Sequence, residues 1–270
     1  MITIQDLSFR YKQSTRNSFE HISLHLQDGQ ALGVIGPSQS GKTTFAYALA
    51  GLLQKHFRGG NLTGTILFDD HNQPPGTSEI GFVFQDASLQ LSGVTETVEE
   101  EIAFSLEQFG LPRDTMRERI EEQLSTFNLA ELRYRHPKTL SGGETQMLAI
   151  ASEAAKHPRL FILDEPTQAL DADHIRHLIE FLRAARGSST IIFIEQNLSA
   201  AFELCDRVLF LENGRQRFIG APQDLLNSNT DVSSLMLPEL IDLQRSLGRN
   251  HISLLFKETI EWMKKCRTSA

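Results

Sequence analysis

Short apolar runs separated by polar and glycine-rich segments dominate the hydrophobic pattern of this chain. Near the start, apolar and polar residues alternate over Ile2–Phe9 and again over Ile22–Leu26, which is typical of half-buried strands. Farther along, the runs are almost continuously apolar and too short for helices, so they predict strands buried on both faces of a parallel sheet. These runs are Ala31–Ile35, Ile80–Phe84, Leu160–Leu163 and Thr190–Ile194.

Segments with helical composition lie between these runs, and their order predicts the fold class. They are Thr43–Leu53 and residues 114–127, 143–156 and 172–185. The alternation of strands and helices predicts an α/β fold, with a parallel sheet covered by helices on both faces. The pattern changes after Gly220, and residues 237–266 are expected to form two amphipathic helices broken near Gly248. We therefore expect a main domain over residues 1–228 and a small C-terminal helical extension over residues 229–270.

Composition narrows the function classes. The chain has 270 residues, 40% of them hydrophobic, which suffices for a packed core. Its net charge of −8 disfavours nucleic acid as a partner. The two cysteines, Cys205 and Cys266, lack a metal-binding spacing and indicate a reduced, cytoplasmic setting. The first residues do not resemble a signal peptide, and no apolar run reaches the roughly 20 residues that span a bilayer, so any membrane role is expected from the aqueous side.

One glycine-rich segment matches a phosphate-binding loop. Residues 36–43 follow the pattern G-x-x-x-x-G-K-[ST] between a predicted strand and a predicted helix. Glycines let backbone N–H groups converge on phosphate oxygens, and the helix directs its positive end to the same point. Lys42 is expected to neutralise the β- and γ-phosphates, and the hydroxyl of Thr43 to bind Mg²⁺. The predicted nucleotide-binding residues of this P-loop are Gly36, Pro37, Ser38, Gln39, Ser40, Gly41, Lys42, Thr43 and Thr44.

Two adjacent carboxylates follow the apolar run Leu160–Leu163. Because the strand ends of a parallel sheet open onto the ligand crevice, Asp164 and Glu165 should lie near the P-loop. Asp164 is expected to hold Mg²⁺ through water, and Glu165 to polarise the attacking water. Two carboxylates after a strand are often only a solvated loop start, so it is the P-loop upstream that favours the catalytic interpretation.

A third motif lies between these two, since residues 140–144 read Leu-Ser-Gly-Gly-Glu. Together with the P-loop and Phe161–Pro166, this signature segment resembles the nucleotide-binding subunits of ATP-binding cassette (ABC) proteins. The resemblance covers about residues 2–220, with the motifs in the family's order. It implies an ATPase that uses ATP and Mg²⁺ and has the P-loop NTPase fold of that family. In this fold an N-terminal antiparallel β subdomain joins a mostly parallel core sheet, and a helical signature subdomain is expected at about residues 86–158.

The resemblance also assigns roles to single residues. Tyr11 is similar to the aromatic residue that stacks on adenine, although a lone tyrosine after a strand is more often a packing residue. Gln85 is similar to the glutamine that touches Mg²⁺ and the attacking water. Ser141, Gly142 and Gly143 would contact the γ-phosphate of ATP held by the opposite subunit. The predicted Mg²⁺ ligands are thus Thr43, Gln85 and Asp164.

One position departs from the family pattern. Family members usually carry a histidine after the strand that matches Thr190–Ile194, and Gln196 stands in its place. The glutamine amide can still donate a hydrogen bond, but it does not titrate near neutral pH. We therefore predict Glu165, Gln196 and Gln85 as catalytic residues, with slow or asymmetric hydrolysis; a glutamine that serves as well as histidine is the alternative. A smaller departure is Gln39, where the family often has glycine.

The segment after Gln85 narrows the resemblance. Residues 86–91 and Thr97–Phe104 resemble the ATPases of energy-coupling factor (ECF) transporters, which import cobalt, nickel and vitamins. The usual proline is missing at Ala87. The tail from Leu237 resembles the C-terminal extension where two such ATPases meet, and helical packing onto its own domain is the alternative.

These likenesses imply partners and a location. An ECF-type importer would pair the chain with a second ABC ATPase subunit, identical or paralogous, and two shared ATP sites would form between them. A transmembrane coupling subunit and a substrate-binding membrane subunit would complete the complex, with this chain peripheral on the cytoplasmic face of the cell membrane. The alternatives are a soluble ABC ATPase and a regulatory cassette that binds ATP but rarely hydrolyses it. In such an importer a separate membrane protein would select the transported substrate, so this chain does not identify it.

Apolar residues after Gln85 also predict a docking groove. Leu89, Leu91, Val94 and Val98 lie where exposure is expected, and a coupling helix of a membrane subunit would fit there. The acidic run Glu99–Glu101 either attracts a basic coupling helix or begins a solvated helix.

Exchanging Gln196 for histidine tests the predicted handicap of the site. We expect Gln196→His to raise the ATPase rate of the assembled complex, because histidine would contact the γ-phosphate and orient the water. Phosphate release by native and variant complexes measures this. An unchanged rate would show that glutamine serves equally well.

Overall fold

A mixed β-sheet organises the computed structural model, which describes residues 1–53, 60–69, 71, 76, 79–107, 109–196 and 198–246. The strands are β1 (Ile2–Arg10), β2 (Phe19–Leu26), β3 (Ala31–Ile35), β4 (Asn61–Phe68), β5 (Ile80–Val83), β6 (Leu160–Asp164), β7 (Thr190–Glu195), β8 (Arg207–Glu212) and β9 (Arg215–Gly220). Within the described residues they form one nine-stranded sheet in the order β4-β1-β2-β9-β8-β3-β7-β6-β5.

Helices cover this sheet. They are α1 (Lys42–Leu49), α2 (Val98–Glu107), α3 (Arg113–Thr126), α4 (Gly142–Ala154), α5 (Ala172–Ala185), α6 (Leu198–Leu204), α7 (Pro222–Asn227) and α8 (Glu239–Ser246). In the described parts of the chain, none of them has both the length and the apolar character needed to cross a bilayer. Helix α8 begins close to the predicted start of the first C-terminal helix at residue 237, whereas the second predicted helix lies outside the described residues.

The parallel part of the sheet confirms the α/β prediction. Strand β3 lies between β7 and β8, and β7 continues to β6 and β5, all in parallel pairs. Every residue of β3, β6 and β7 is buried, as their continuously apolar sequences predicted. The carboxyl ends of these strands meet at one edge of the sheet, so the segments that follow them converge there.

An antiparallel part extends the sheet, as the ABC resemblance implied. Strand β1 pairs antiparallel with β2 and β4, and β8 pairs antiparallel with β9. The hydrophobic pattern did not predict β4, β8 and β9. The β8–β9 turn did carry a signal, because Asn213-Gly214 is the dipeptide that two-residue hairpin turns favour, and both residues have positive φ, 51° and 76°.

Two apolar clusters lie on opposite faces of the sheet. Along β6, Phe161 and Leu163 belong to the cluster that includes α2–α5, whereas Leu160 and Ile162 belong to the cluster that includes α1 and β1. The ring of Phe45 in α1 packs against the ring of Phe19 in β2 at a centroid distance of 5.8 Å. Because successive strand residues face opposite sides, this division confirms that helices cover both faces.

Part of the exposed segment predicted after β5 is in fact buried. Leu89 and Val94 are 82% and 72% exposed, as predicted. Leu91 is half-buried against the core, and Val98 is fully buried, which corrects the prediction of an exposed Val98. Val98 opens α2, so its side chain turns toward α4 and the core instead of continuing the exposed loop.

The acidic run at the start of α2 is used within the subunit. Glu99 pairs with Arg133 at 3.6 Å, and Glu100 accepts hydrogen bonds from the backbone N–H groups of Glu96 and Thr97. Glu101 is 4% exposed and accepts hydrogen bonds from the backbone N–H and the hydroxyl of Ser92, both at 2.7 Å. The carboxylates of the run are therefore engaged within the subunit, and attraction of a basic coupling helix by the run stays a prediction.

Candidate functional site

The P-loop joins β3 to α1 in a backbone that needs glycine at both ends. Gly36 has φ 151°, and a Cβ atom there would lie 2.1 Å from the carbonyl oxygen of Leu211. Gly41 has φ 98°, and a Cβ atom there would lie 2.2 Å from the carbonyl oxygen of Ser18. Gln39 has φ 63°, a left-handed conformation that glycine adopts more easily, which explains why glycine suits this position.

Lys42 is held inside the loop that it ends. Lys42 is only 5% exposed. Its Nζ donates hydrogen bonds to the carbonyl oxygens of Gly36 at 2.9 Å and Pro37 at 3.0 Å. Burial lowers the pKa of Lys42, and the carboxylates of Glu165, Asp164 and Glu195 act in the opposite direction. The ammonium group is therefore attracted by nearby carboxylates. Phosphate oxygens can replace its two carbonyl partners.

A cleft of about 800 Å³ opens above this loop, large enough for a nucleotide. We call it the phosphate cleft. Its walls include most of the residues that the sequence assigned to the nucleotide, together with Gln85, Glu165 and Gln196. The loop between β1 and β2 and the β8–β9 turn also line it, and sequence analysis missed them: Ser14, Arg16, Asn17, Ser18, Asn213 and Gly214.

Glu165 is fixed by two glutamine amides. Gln85 Nε2 donates to Glu165 Oε2 at 3.0 Å, and Gln196 Nε2 donates to Glu165 Oε1 at 2.6 Å. The backbone N–H of Glu165 donates to the carbonyl oxygen of Ile194 at 2.9 Å, and its φ of 49° is left-handed, a strained conformation for this residue type. Neighbouring elements thus set both the backbone and the carboxylate of the predicted base.

Gln196 occupies the position expected of the family's histidine with a donor in place. Besides its contact with Glu165, its Oε1 accepts from the hydroxyl of Ser38 at 3.4 Å, which links the P-loop to the predicted base. The Gln196 amide therefore provides a hydrogen-bond donor in the expected position. It differs from histidine in that it does not titrate near neutral pH.

Asp164 fits the predicted role at Mg²⁺. The residue is 1% exposed, and burial raises the pKa of its carboxyl to about 6, with a side-chain hydrogen bond from Thr43 acting in the opposite direction. Its Oδ1 has no hydrogen-bond partner among the described residues. A buried carboxylate oxygen without a partner, beside a hydroxyl, suits a hard cation that prefers oxygen ligands. Asp164 and Thr43 could hold Mg²⁺ here, where the ion would neutralise charge on the phosphates.

The signature segment lies apart from the phosphate cleft of its own chain. Ser141 begins α4 with a capping box, since its Oγ accepts from the N–H of Glu144 at 3.3 Å and its N–H donates to Glu144 Oε2 at 2.7 Å. None of Ser141, Gly142 and Gly143 lines the cleft. A Cβ atom at Gly142 would meet nothing within 4 Å, and one at Gly143 would lie 3.4 Å from Ala169. Packing within the described chain thus does not require these glycines.

Tyr11 is placed beside α1. Its hydroxyl lies 3.2 Å from Thr44 Oγ1, and its ring meets Phe9 edge-on at 4.8 Å. It does not line the phosphate cleft, so its contact with adenine stays a prediction.

Neutralising Asp164 should stabilise the nucleotide-free protein while removing its Mg²⁺ ligand. At pH 8 the buried carboxylate is ionised, and Asp164→Asn should raise the free energy of unfolding by about 1–3 kcal/mol. As pH falls from about 6 toward 4, the folded native protein takes up a proton that the unfolded chain does not, so the native stability rises and the difference disappears.

Denaturant unfolding at several pH values measures this effect. The matched control is Asp173→Asn on the exposed start of α5, which should change stability little at any pH. A destabilised Asp164→Asn protein at pH 8 would contradict the assigned cost of the buried charge.

Comparison with known proteins identifies the family of this chain. The family model described as ABC transporter matches residues 19–168. A putative ABC transporter ATP-binding protein of Pyrococcus horikoshii is 38% identical over 236 residues, which cover 84% of this chain and 82% of the relative. The energy-coupling factor transporter ATP-binding protein EcfA1 of Streptococcus agalactiae is 35% identical over 259 residues, covering 94% and 91%.

Solved structures show the same fold. The CbiO1 protein of Clostridium perfringens, described as part of the ABC transporter complex CbiONQ, superposes with a TM-score of 0.72 at 25% identity. That match covers 83% of this chain and 89% of CbiO1. With its P-loop, its acidic strand end and its signature segment in place, the chain belongs to the ABC transporter family and is an ATP-hydrolysing subunit that resembles those of energy-coupling factor transporters.

Proposed function

We propose that this chain energises an ECF-type importer for a vitamin or a transition-metal ion. It does so in a dimer with an identical or paralogous ABC ATPase, which shares two ATP sites with it. The observation that carries this proposal is the separation of the signature segment from the phosphate cleft of the same chain. ATP closes the dimer, and hydrolysis reopens it.

Support for a shared site comes from the start of α4. Ser141 and Gly142 are exposed, and the N-terminus of a 13-residue helix offers backbone N–H groups and a partial positive charge to an anion. A glycine pair that its own chain does not need leaves room for phosphate oxygens of ATP on the second subunit. The capping box fixes the direction of the helix end before the subunits meet.

A groove beside Gln85 supports the membrane partner. This docking groove, about 510 Å³ in volume, is lined by residues of the segment after β5, of α2, of α4 and of the turn after α4: Gln90, Leu91, Ser92, Glu101, Phe104, Ser105, Glu107, Ala149, Ser152, Glu153 and Lys156. Phe104 is 48% exposed, and the exposed Leu89 belongs to the neighbouring turn. A coupling helix of the transmembrane subunit docks there through its apolar face.

The groove is mechanically linked to both ATP sites. Gln90 Nε2 donates to the carbonyl oxygen of Phe82, and Gln90 Oε1 accepts from the N–H of Phe84, so one wall is tied to β5 just before Gln85. The other wall belongs to α4, which begins at the signature segment. Closure of the dimer therefore moves the groove, and with it the docked helix.

The proposal includes the location of the chain and the roles of the other subunits. The chain lies peripherally on the cytoplasmic face of the cell membrane and selects no transported substrate itself. A separate membrane subunit selects that substrate, and a transmembrane subunit couples it to the ATPase pair.

A regulatory cassette that binds ATP and rarely turns over is the second candidate. Gln196 favours it, because the family's titratable histidine is replaced. The retained Glu165 opposes it, because a carboxylate held in place by two amide donors is suited to act as a general base.

Charged substitutions in the docking groove and in the turn beside it test the proposed partner. Phe104→Glu and Leu89→Glu should each reduce the membrane subunits that co-purify with the chain by about tenfold, as expected when one apolar anchor is lost. ATP binding should stay native, because neither residue lines the phosphate cleft. Purification from membranes and identification of the recovered chains measure the effect.

Tyr134→Glu is the matched control, because Tyr134 is 77% exposed and lies outside the docking groove. Its recovery of membrane subunits should equal that of the native chain. Recovery of no membrane protein by the native chain would overturn the importer proposal and favour a soluble or regulatory ATPase.

A further inference from the structure

Strand β7 ends on a buried carboxylate that none of the recognised motifs includes. Glu195 is 2% exposed, although buried carboxylates are rare and costly unless they are paired. Its Oε1 accepts a hydrogen bond from the backbone N–H of Thr167 at 3.1 Å, and Thr167 is itself buried. Glu195 does not line the phosphate cleft, so its effect on the nucleotide must act through other residues.

The end of β7 holds the segment after β6 at three consecutive points. The carbonyl oxygen of Ile194 accepts from the N–H of Glu165 at 2.9 Å, Glu195 accepts from Thr167, and Gln196 donates to Glu165 Oε1 at 2.6 Å. Between the first two contacts the backbone turns through the left-handed conformation of Glu165, φ 49°. Such a conformation persists only where its surroundings fix it on both sides.

Glu195 fixes the far side of that turn together with a hydrogen bond from the N–H of Gln168 to the carbonyl oxygen of Glu165 at 3.3 Å. Without its carboxylate, the N–H of Thr167 would be a buried donor without this acceptor, and the segment after Glu165 could relax toward an unstrained conformation. A shift of about 1 Å in a reacting group can cost about 100-fold in rate.

We propose that Glu195 is a positioning residue for ATP hydrolysis, which holds the carboxylate of Glu165 toward the attacking water through its hydrogen bond to Thr167. The role depends on an acceptor atom at the right distance and not on the negative charge. It concerns the ATPase reaction alone, so its test is independent of any membrane partner.

Three substitutions separate the acceptor from the charge. Glu195→Gln keeps the length of the side chain and an acceptor oxygen but removes the charge. Glu195→Asp keeps the charge but shortens the reach to Thr167, and Glu195→Ala removes both. Ser189→Ala is the matched control, because Ser189 is a buried residue at the amino end of β7 whose hydroxyl donates to the carbonyl oxygen of Pro158 at 2.6 Å.

Steady-state ATP hydrolysis by the chain in its native assembly gives kcat and KM for each variant. We expect Glu195→Ala and Glu195→Asp to lower kcat by about 10- to 100-fold, with KM for ATP within about twofold of native. Glu195→Gln should keep kcat within about threefold of native. Ser189→Ala should lower the unfolding midpoint without changing kcat.

Three results would overturn the proposal. They are a native kcat in Glu195→Asp, a Glu195→Gln variant as defective as Glu195→Asp, and an increase in KM that accounts for the whole loss. Should Glu195→Ala fail to fold, the comparison of the Asp and Gln variants decides alone, because these two changes keep a polar side chain of similar size. A Glu195→Gln rescue with Glu195→Asp impaired supports the acceptor role.

Discussion

The hydrogen bonds from two glutamine amides to Glu165 are the interaction on which the site depends. Gln85 follows β5 and Gln196 follows β7, while Glu165 follows β6, which lies between them in the sheet. The parallel register therefore brings one donor to each oxygen of the carboxylate. A change in strand order or register would separate these three side chains, whatever the motifs in the sequence.

The site is built against local stability. Asp164 and Lys42 are almost fully buried. Burial raises the pKa of Asp164 and lowers the pKa of Lys42, so it disfavours the charged form of both groups. Gln39 and Glu165 hold left-handed backbones. The apolar strands on either side, buried throughout, and the two clusters that cover them hold this arrangement in place. Bound ATP and Mg²⁺ would bring charges opposite to those of Lys42 and Asp164 into the site.

Much of the fold and the site could be predicted because each motif has a local physical cause. Two glycines, Gly36 and Gly41, are required where a Cβ atom would strike backbone, so the P-loop is visible in the sequence. The buried strands and the placement of Asp164 follow from continuous apolar runs with a polar end. The strand order that joins Gln85 to Glu165 is not local, and no periodicity encodes it.

The errors also have local causes. Val98 was predicted to be exposed because the residues before it are, but α2 begins there and turns it inward. In the run Glu99–Glu101, the fold brings Arg133 to Glu99 and Ser92 to Glu101, whereas Glu100 accepts hydrogen bonds from the neighbouring backbone. Glu195 was overlooked because a charged residue after an apolar strand usually marks its exposed end. The division at about residue 228 stays a prediction, since residues 247–270 lie outside the described part of the chain.

The most direct test of this account is the rate of ATP hydrolysis by Glu165→Gln in the native assembly, measured beside its affinity for ATP. Glutamine keeps the size of the side chain but loses the proton acceptor. The account predicts an ATP affinity within about twofold of native and a hydrolysis rate at least about 100-fold lower, the loss expected for a general base. A Glu165→Gln assembly that hydrolyses ATP within about threefold of the native rate would contradict it.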